Sequence, residues 1–151
     1  MRVAYLLPAG ISVVDGESPH TIMTILGSCV SVCLWDRRGR GGGMNHYLLP
    51  RRGTGGQLSP RYGDVAIPAL VRGLVARGSA PEDLRAKIFG GAHVVPGGDP
   101  SGKTLGAQNV EVALELLAAD GVQILSDDVG GKRGRKLAFN PVDGTALVWR
   151  L

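Results

Sequence analysis

Eight short runs of β-branched and aliphatic residues, set against only two stretches of helical periodicity, constrain the fold of this chain most. The extended candidates are Arg2 to Leu6, Thr21 to Leu26, Val30 to Trp35, Gly43 to Leu49, Ala86 to Phe89, Val122 to Asp127, Lys136 to Asn140 and Ala146 to Arg150. One helix is predicted from Gly63 to Arg77, with Val65, Ile67, Ala69, Leu70, Leu74 and Val75 apolar. The second starts at the N-cap candidate Asn109 and runs to Ala119, where Gly121 closes it; Val110, Val112, Ala113, Leu116 and Leu117 form its apolar side. That mixture predicts an α+β fold: a layered α/β sandwich with a mixed or antiparallel sheet and two main helices, as a single domain over residues 1–151.

A chain of 151 residues buries a core of ordinary size and needs no second domain. No apolar run approaches the roughly 20 residues that span a bilayer, and Met1-Arg2-Val3-Ala4-Tyr5-Leu6-Leu7-Pro8 is too short for a signal peptide. A cytoplasmic protein without membrane insertion is the expectation. In an extended segment Cys29 and Cys33 stand about 13 Å apart at the strand rise, beyond the ~7 Å reach of a disulfide, so both are expected as free thiols. The net charge of +4 lies mostly in Gly-containing loops such as Arg37-Arg38-Gly39-Arg40, Arg51-Arg52-Gly53 and Lys132-Arg133-Gly134-Arg135-Lys136. No aromatic residues interleave with them as a stacking platform, so solvated turns are expected rather than a nucleic-acid surface.

The chemistry-bearing feature is Gly27-Ser28-Cys29, where one extended run stops and Val30-Ser31-Val32-Cys33-Leu34-Trp35-Asp36 begins. Gly27 permits a sharp turn, and a thiol at such an interruption can face a cleft with backbone N–H groups beside it. If Arg38-Gly39 is a hairpin turn, paired residue numbers sum to about 77. His46 then lies opposite Ser31 and diagonal to Cys29 on one face, with backbones roughly 7 to 8 Å apart. The competing reading of the same residues is a small buried thiol and a structural histidine.

Family resemblance weighs on the catalytic side. Thr24-Ile25-Leu26-Gly27-Ser28-Cys29-Val30-Ser31-Val32-Cys33 and Gly43-Met44-Asn45-His46-Tyr47-Leu48-Leu49-Pro50 resemble the CheD family of bacterial chemoreceptor glutamine deamidases. So do Arg61-Tyr62-Gly63-Asp64, Lys87-Ile88-Phe89-Gly90-Gly91-Ala92, Leu105-Gly106-Ala107-Gln108-Asn109-Val110 and Asp127-Asp128-Val129-Gly130-Gly131, in the family's order. The resemblance implies a Cys-His-Thr site that falls on Cys29, His46 and Thr24, with Gly27 and Ser28 forming the oxyanion turn. In some members the threonine is one residue farther from the cysteine, a position held here by Met23; Thr21 is a weaker candidate. The implied reaction is hydrolysis of a glutamine side-chain amide to glutamate through a cysteine thioester, with neither cofactor nor metal. The implied partners are the cytoplasmic helices of chemoreceptors and a CheC-type phosphatase.

Other motifs carry rival readings. Asp127-Asp128 lacks the partners of a metal site and is read as a turn or cap; His20 is placed in a loop, His93 beside the pocket, and Cys33 and Trp35 in packing roles. Gly97-Gly98-Asp99-Pro100-Ser101-Gly102-Lys103-Thr104 is a literal G-x-x-x-x-G-K-T match, which makes a P-loop-like nucleotide binder one alternative. Pro96, Pro100 and Leu105-Gly106 argue against the strand and helix that such a loop needs. A non-enzymatic chemotaxis interaction module is the other alternative, and transfer to an amine instead of water is a variant of the deamidase reading.

Overall fold

The computed structural model describes residues 2–17 and 20–151; Met1 lies outside them. In chain order the strands are β1 (Arg2–Tyr5), β2 (Ile11–Asp15), β3 (His20–Leu26), β4 (Val30–Asp36), β5 (Gly41–Asn45), β6 (Leu84–Gly90), β7 (Gln123–Val129), β8 (Arg135–Phe139) and β9 (Ala146–Arg150). The helices are α1 (Gly63–Ala76) and α2 (Leu105–Ala119). Five strands form one sheet in the order β2-β5-β4-β6-β7, and four form a second in the order β1-β3-β8-β9. The β1/β3 and β6/β7 pairs are parallel and the rest antiparallel, so the predicted mixed α+β sandwich is the fold found.

The side chains of β4 explain the layering. Val30, Val32 and Leu34 point to a cluster shared with Ile67, Leu70 and Leu74 of α1 and Val112 and Leu117 of α2. Cys33 and Trp35, at the alternate positions, join Ile22, Leu26, Met44, Phe89, Leu137 and Phe139 between the two sheets. Both faces of β4 are therefore buried, which is why it reads as an almost unbroken apolar run. Helices, five-stranded sheet and four-stranded sheet make three layers. Each fully buried Leu, Ile or Phe contributes on the order of 1.5–3 kcal/mol.

Several element boundaries differ from the sequence expectation, each for a local reason. The strand expected over Gly43 to Leu49 ends at Asn45, because the Val32 N–H bonds to Asn45 Oδ1 (2.8 Å) instead of a backbone carbonyl; pairing resumes only between Val30 and Tyr47. β2 was not foreseen, its five residues being short and only partly buried at the edge of the sheet. His20 begins β3 instead of lying in a loop. Asn109 is not the N-cap of α2: Thr104 caps it, its Oγ1 accepting from Ala107 N–H (3.1 Å), and Asn109 sits inside the helix. Arg135, expected in a basic loop, is buried at the start of β8. Its guanidinium donates to Gly90 O (3.2 Å), Gly130 O (2.8 Å) and Asp128 Oδ1 (3.2 Å).

The first turn of α2 presses against the backbone that follows β6. A Cβ on Gly106 would lie 2.2 Å from Gly91 O and 2.7 Å from Ala92 O, both immovable backbone atoms. Gly106→Ala is therefore expected to destabilise the protein by about 3 kcal/mol or more, read as a lower urea midpoint. An unchanged midpoint would show that α2 is not seated this closely.

Candidate active site

The β4/β5 register brings the predicted groups to one face. Cys33 pairs with Met44 and Val30 bridges Tyr47, so paired numbers sum to 77 as expected from the hairpin. His46 lies across from Ser31 and one diagonal step from Cys29, on the face between the sheets that also carries Cys33 and Met44. Cys29 is half-buried, immediately before β4, and packs with Leu6 against that inter-sheet cluster.

Thr24 enters from β3 in the opposite sheet. Ile22, Thr24 and Leu26 face inward by strand alternation, whereas Thr21 and Met23 fall on the other face. Parity therefore turns Thr24 inward and the other two positions away. Its Oγ1 lies 2.7 Å from His46 Nδ1 and donates its own proton to Leu6 O (2.8 Å). With the hydroxyl hydrogen committed to Leu6, the Thr24 oxygen can only accept from the ring, which places the proton of neutral His46 on Nδ1 and the free lone pair on Nε2. The Leu6 carbonyl, a backbone atom invisible to motif reading, thus sets the tautomer.

The strap from Leu6 to Gly10 holds the histidine backbone as well. Ala9 N–H donates to His46 O (2.8 Å), and His46 N–H to Gly10 O (3.2 Å). Ala9 takes a left-handed φ of 67° to make this turn, a conformation a residue with a Cβ adopts at some cost. Leu6, Leu7 and Pro8 of the strap line a cavity of about 320 Å³ with Tyr5, Met23, Thr24, Ile25, His46 and Lys136; Cys29 is not part of its lining.

The turn before Cys29 is anchored through its carbonyls. Gly27 O accepts from Ala92 N–H (3.0 Å), Ser28 O from Asn109 Nδ2 (3.0 Å) and Cys29 O from Gly91 N–H (2.9 Å). Burial raises the Cys29 thiol above its ordinary value, opposed by its own backbone N–H, which favours the thiolate. Burial lowers His46 to about 4. Both shifts favour the neutral forms, thiol and imidazole, at neutral pH.

The same shift has a consequence for stability. A histidine whose folded pKa lies below its unfolded value binds fewer protons when folded, so stability falls as pH drops from 6.5 to about 4. The loss amounts to roughly 3 kcal/mol, complete below the folded pKa. Urea unfolding at stepped pH is expected to show this loss, and His46→Gln to remove most of it; an equal acid loss in both proteins would assign it to other groups.

The remaining motifs lie away from these residues or serve the fold. The Gly97 to Thr104 loop closes on its own carboxylate: Asp99 Oδ1 accepts from Ser101 N–H (2.9 Å), Ser101 Oγ (2.5 Å) and Lys103 N–H (2.9 Å). Lys103 Nζ is 2.5 Å from Glu111, and Thr104 is spent as the α2 cap. The N–H groups and lysine that would cradle a phosphate are thus committed to protein acceptors. Asp127 and Asp128 lie within β7 instead of forming a turn or cap, Asp128 pairs with Arg135 and Arg150, and among the described residues no three His, Cys, Asp or Glu side chains are placed to hold a metal ion. His93 is exposed beside Gly91 and Gly131, and Cys33 and Trp35 are buried in the inter-sheet core.

A thiol at an anchored turn before β4, an imidazole just beyond the end of β5 and a threonine of β3 hydrogen-bonded to that imidazole thus lie on an α+β sandwich. A family model described as "CheD chemotactic sensory transduction" matches residues 48–150. A relative from Anaeromyxobacter dehalogenans, named "Probable chemoreceptor glutamine deamidase CheD 1", is 47% identical over 99% of this chain and 86% of its own. Relatives named "Probable chemoreceptor glutamine deamidase CheD" from Trichlorobacter lovleyi (40% identical, 97% of this chain, 89% of the relative) and Rhodospirillum rubrum (45%, 88% and 74%) agree. The chain belongs to the CheD family. The crystal structure of a Neisseria meningitidis protein of the DUF152 family shares the fold alone, at a TM-score of 0.56 and 16% identity over 95% of this chain and 76% of that one.

Proposed function

We propose that this chain is a chemoreceptor glutamine deamidase that hydrolyses receptor glutamine side chains to glutamate, with Cys29 as nucleophile, His46 as base and Thr24 as the residue that orients it. The observation that carries this reading is the Leu6 O, Thr24, His46 chain of hydrogen bonds, which leaves Nε2 as the free nitrogen of a buried, neutral imidazole diagonal to the thiol. The names of the relatives supply the substrate class.

The steps follow from these groups. His46 Nε2 takes the Cys29 proton as sulfur attacks the amide carbon, and the carbonyl oxygen becomes an oxyanion facing the N–H groups of Ser28 and Cys29. The imidazolium returns its proton to the amide nitrogen, the C–N bond breaks and ammonia leaves. Water then loses a proton to neutral His46 while its oxygen attacks the thioester carbon. The C–S bond breaks, the imidazolium reprotonates sulfur and glutamate is released. Each turnover adds one negative charge to a receptor helix and shifts its packing through electrostatics. The substrate segments are the cytoplasmic helices of chemoreceptors, which places the enzyme in the cytoplasm. A CheC-type phosphatase is a second partner of this reading, and no helix among the described residues is long and apolar enough to cross a membrane.

The test is peptide mass spectrometry of a chemoreceptor cytoplasmic fragment incubated with the protein or with Cys29→Ala. Gln-to-Glu conversion by the intact protein alone is the expected result. Absence of conversion with receptor binding retained would replace this reading with a non-enzymatic interaction module.

A further inference from the structure

Asn109 is wholly buried on the stripe of α2 that faces the sheet, alongside Gly106, Val112 and Ala113. Its Nδ2 donates to Ser28 O and to Leu48 O, each at 3.0 Å. One carboxamide thereby ties the turn that carries Cys29 to the segment that follows His46. Tyr47 Oη locks the same place from the other side by donating to the Asn109 backbone carbonyl (2.5 Å).

The Asn109 Oδ1, by contrast, is buried with no hydrogen-bond partner among the described residues. An orphaned buried acceptor carries an unrecovered desolvation cost, so the residue is poorly explained as a device for stability. Its two donors are what the site uses.

A trans peptide unit is planar, with C=O and N–H pointing in opposite directions. Holding Ser28 C=O inward on Asn109 therefore turns the Cys29 N–H outward, toward its own sulfur, where it already favours the thiolate. The Gly27 C=O, held by Ala92 N–H, turns the Ser28 N–H outward in the same way. An N–H aimed before the reaction begins stabilises an oxyanion without reorganisation at the transition state.

We infer that Asn109 is a positioning residue of this site: by gripping Ser28 C=O it aims the Cys29 N–H at the oxyanion of the tetrahedral intermediate. The inference rests on the deamidase reading. It separates two reactions of the same sulfur. Deamidation passes through an oxyanion, whereas alkylation by iodoacetamide is a direct displacement that needs only the thiolate.

The experiment compares intact protein, Asn109→Ala and Asn109→Ser, each full length, for receptor-fragment deamidation and for Cys29 alkylation by iodoacetamide. For Asn109→Ala the expected result is a kcat lower by about 10²-fold or more, a KM within about threefold, and an alkylation rate lower by no more than about tenfold, the share due to the weakened N–H contact with sulfur. Asn109→Ser keeps a hydroxyl donor and is expected to recover part of kcat; it also carries the test if the alanine variant does not fold. Parallel loss of deamidation and alkylation in the folded variant overturns the inference, because the disturbed element is then the thiol–imidazole pair itself. Unchanged kcat in both variants overturns it as well, while leaving the deamidase reading standing. Failure of the intact protein to convert glutamine overturns the deamidase reading, and this inference with it.

Discussion

Cys29→Ala is expected to reduce Gln-to-Glu conversion to the uncatalysed background while the protein remains folded. Removing a nucleophile costs on the order of 10⁶-fold where the catalytic residues act as a unit, and no other thiol stands ready to replace this one. Cys33 is sealed in the inter-sheet core, and burial holds its thiol well above the ordinary range. The structural cost of the change is small, since Cys29 is only half-buried and its carbonyl, not its sulfur, anchors the turn to Gly91. A melting temperature close to that of the intact protein is therefore expected alongside the lost activity. Cys33→Ala is the converse control: it empties a sulfur-sized space in the core at a cost of about 1–2 kcal/mol and keeps most of the activity. Substantial conversion by Cys29→Ala would remove the thioester mechanism altogether.

His46→Gln is the second large effect, an expected fall in kcat of about 10³-fold or more. Glutamine preserves a hydrogen bond to Thr24 but has no lone pair of comparable basicity to take the sulfur proton. The pH profile of the intact enzyme is expected to reflect the burial of the pair. Imidazolium is the charged form of histidine, so burial pushes the acid limb of kcat/KM down to about 4 instead of 6.5. Thiolate is the charged form of cysteine, so burial pushes the alkaline limb above the ordinary thiol value. Activity is thus expected to stay level from mildly acidic to mildly alkaline pH. A limb near 6.5 would show a solvated imidazole and would contradict the buried geometry.

Much of this arrangement was legible because strand chemistry is local. The apolar run of β4, the glycine turn before Cys29 and the hairpin arithmetic that sums to 77 follow from residue type, side-chain alternation and loop length. The same alternation decides between Thr24 and Met23 once β3 is recognised as a strand with one buried face. Asn109 carried a signal that was misread. An amide within the apolar stripe of a helix is as much a sign of a buried tether as of a cap, and Thr104 was the better cap. Arg135 was misread because a run of Lys, Arg and Gly looks solvated, yet a guanidinium can be buried when carbonyls and a carboxylate receive its protons. The G-x-x-x-x-G-K-T match misled in the opposite sense: spacing was satisfied, but Asp99 occupies the loop from within.

Sequence alone determined the α+β layering, the thiol turn and the register that sets His46 opposite Ser31 and diagonal to Cys29, because these depend on periodicity and on contacts within a single hairpin. Only the tertiary structure decided which nitrogen of His46 is free and how the Cys29 turn is held. Those outcomes depend on Leu6 O, Thr24, Gly91, Ala92 and Asn109, groups from distant segments that converge only when the two sheets and α2 pack. A hydrogen bond is short-ranged and directional, so its partners are settled by where packing brings backbone carbonyls, and carbonyls are the same at every position of the sequence.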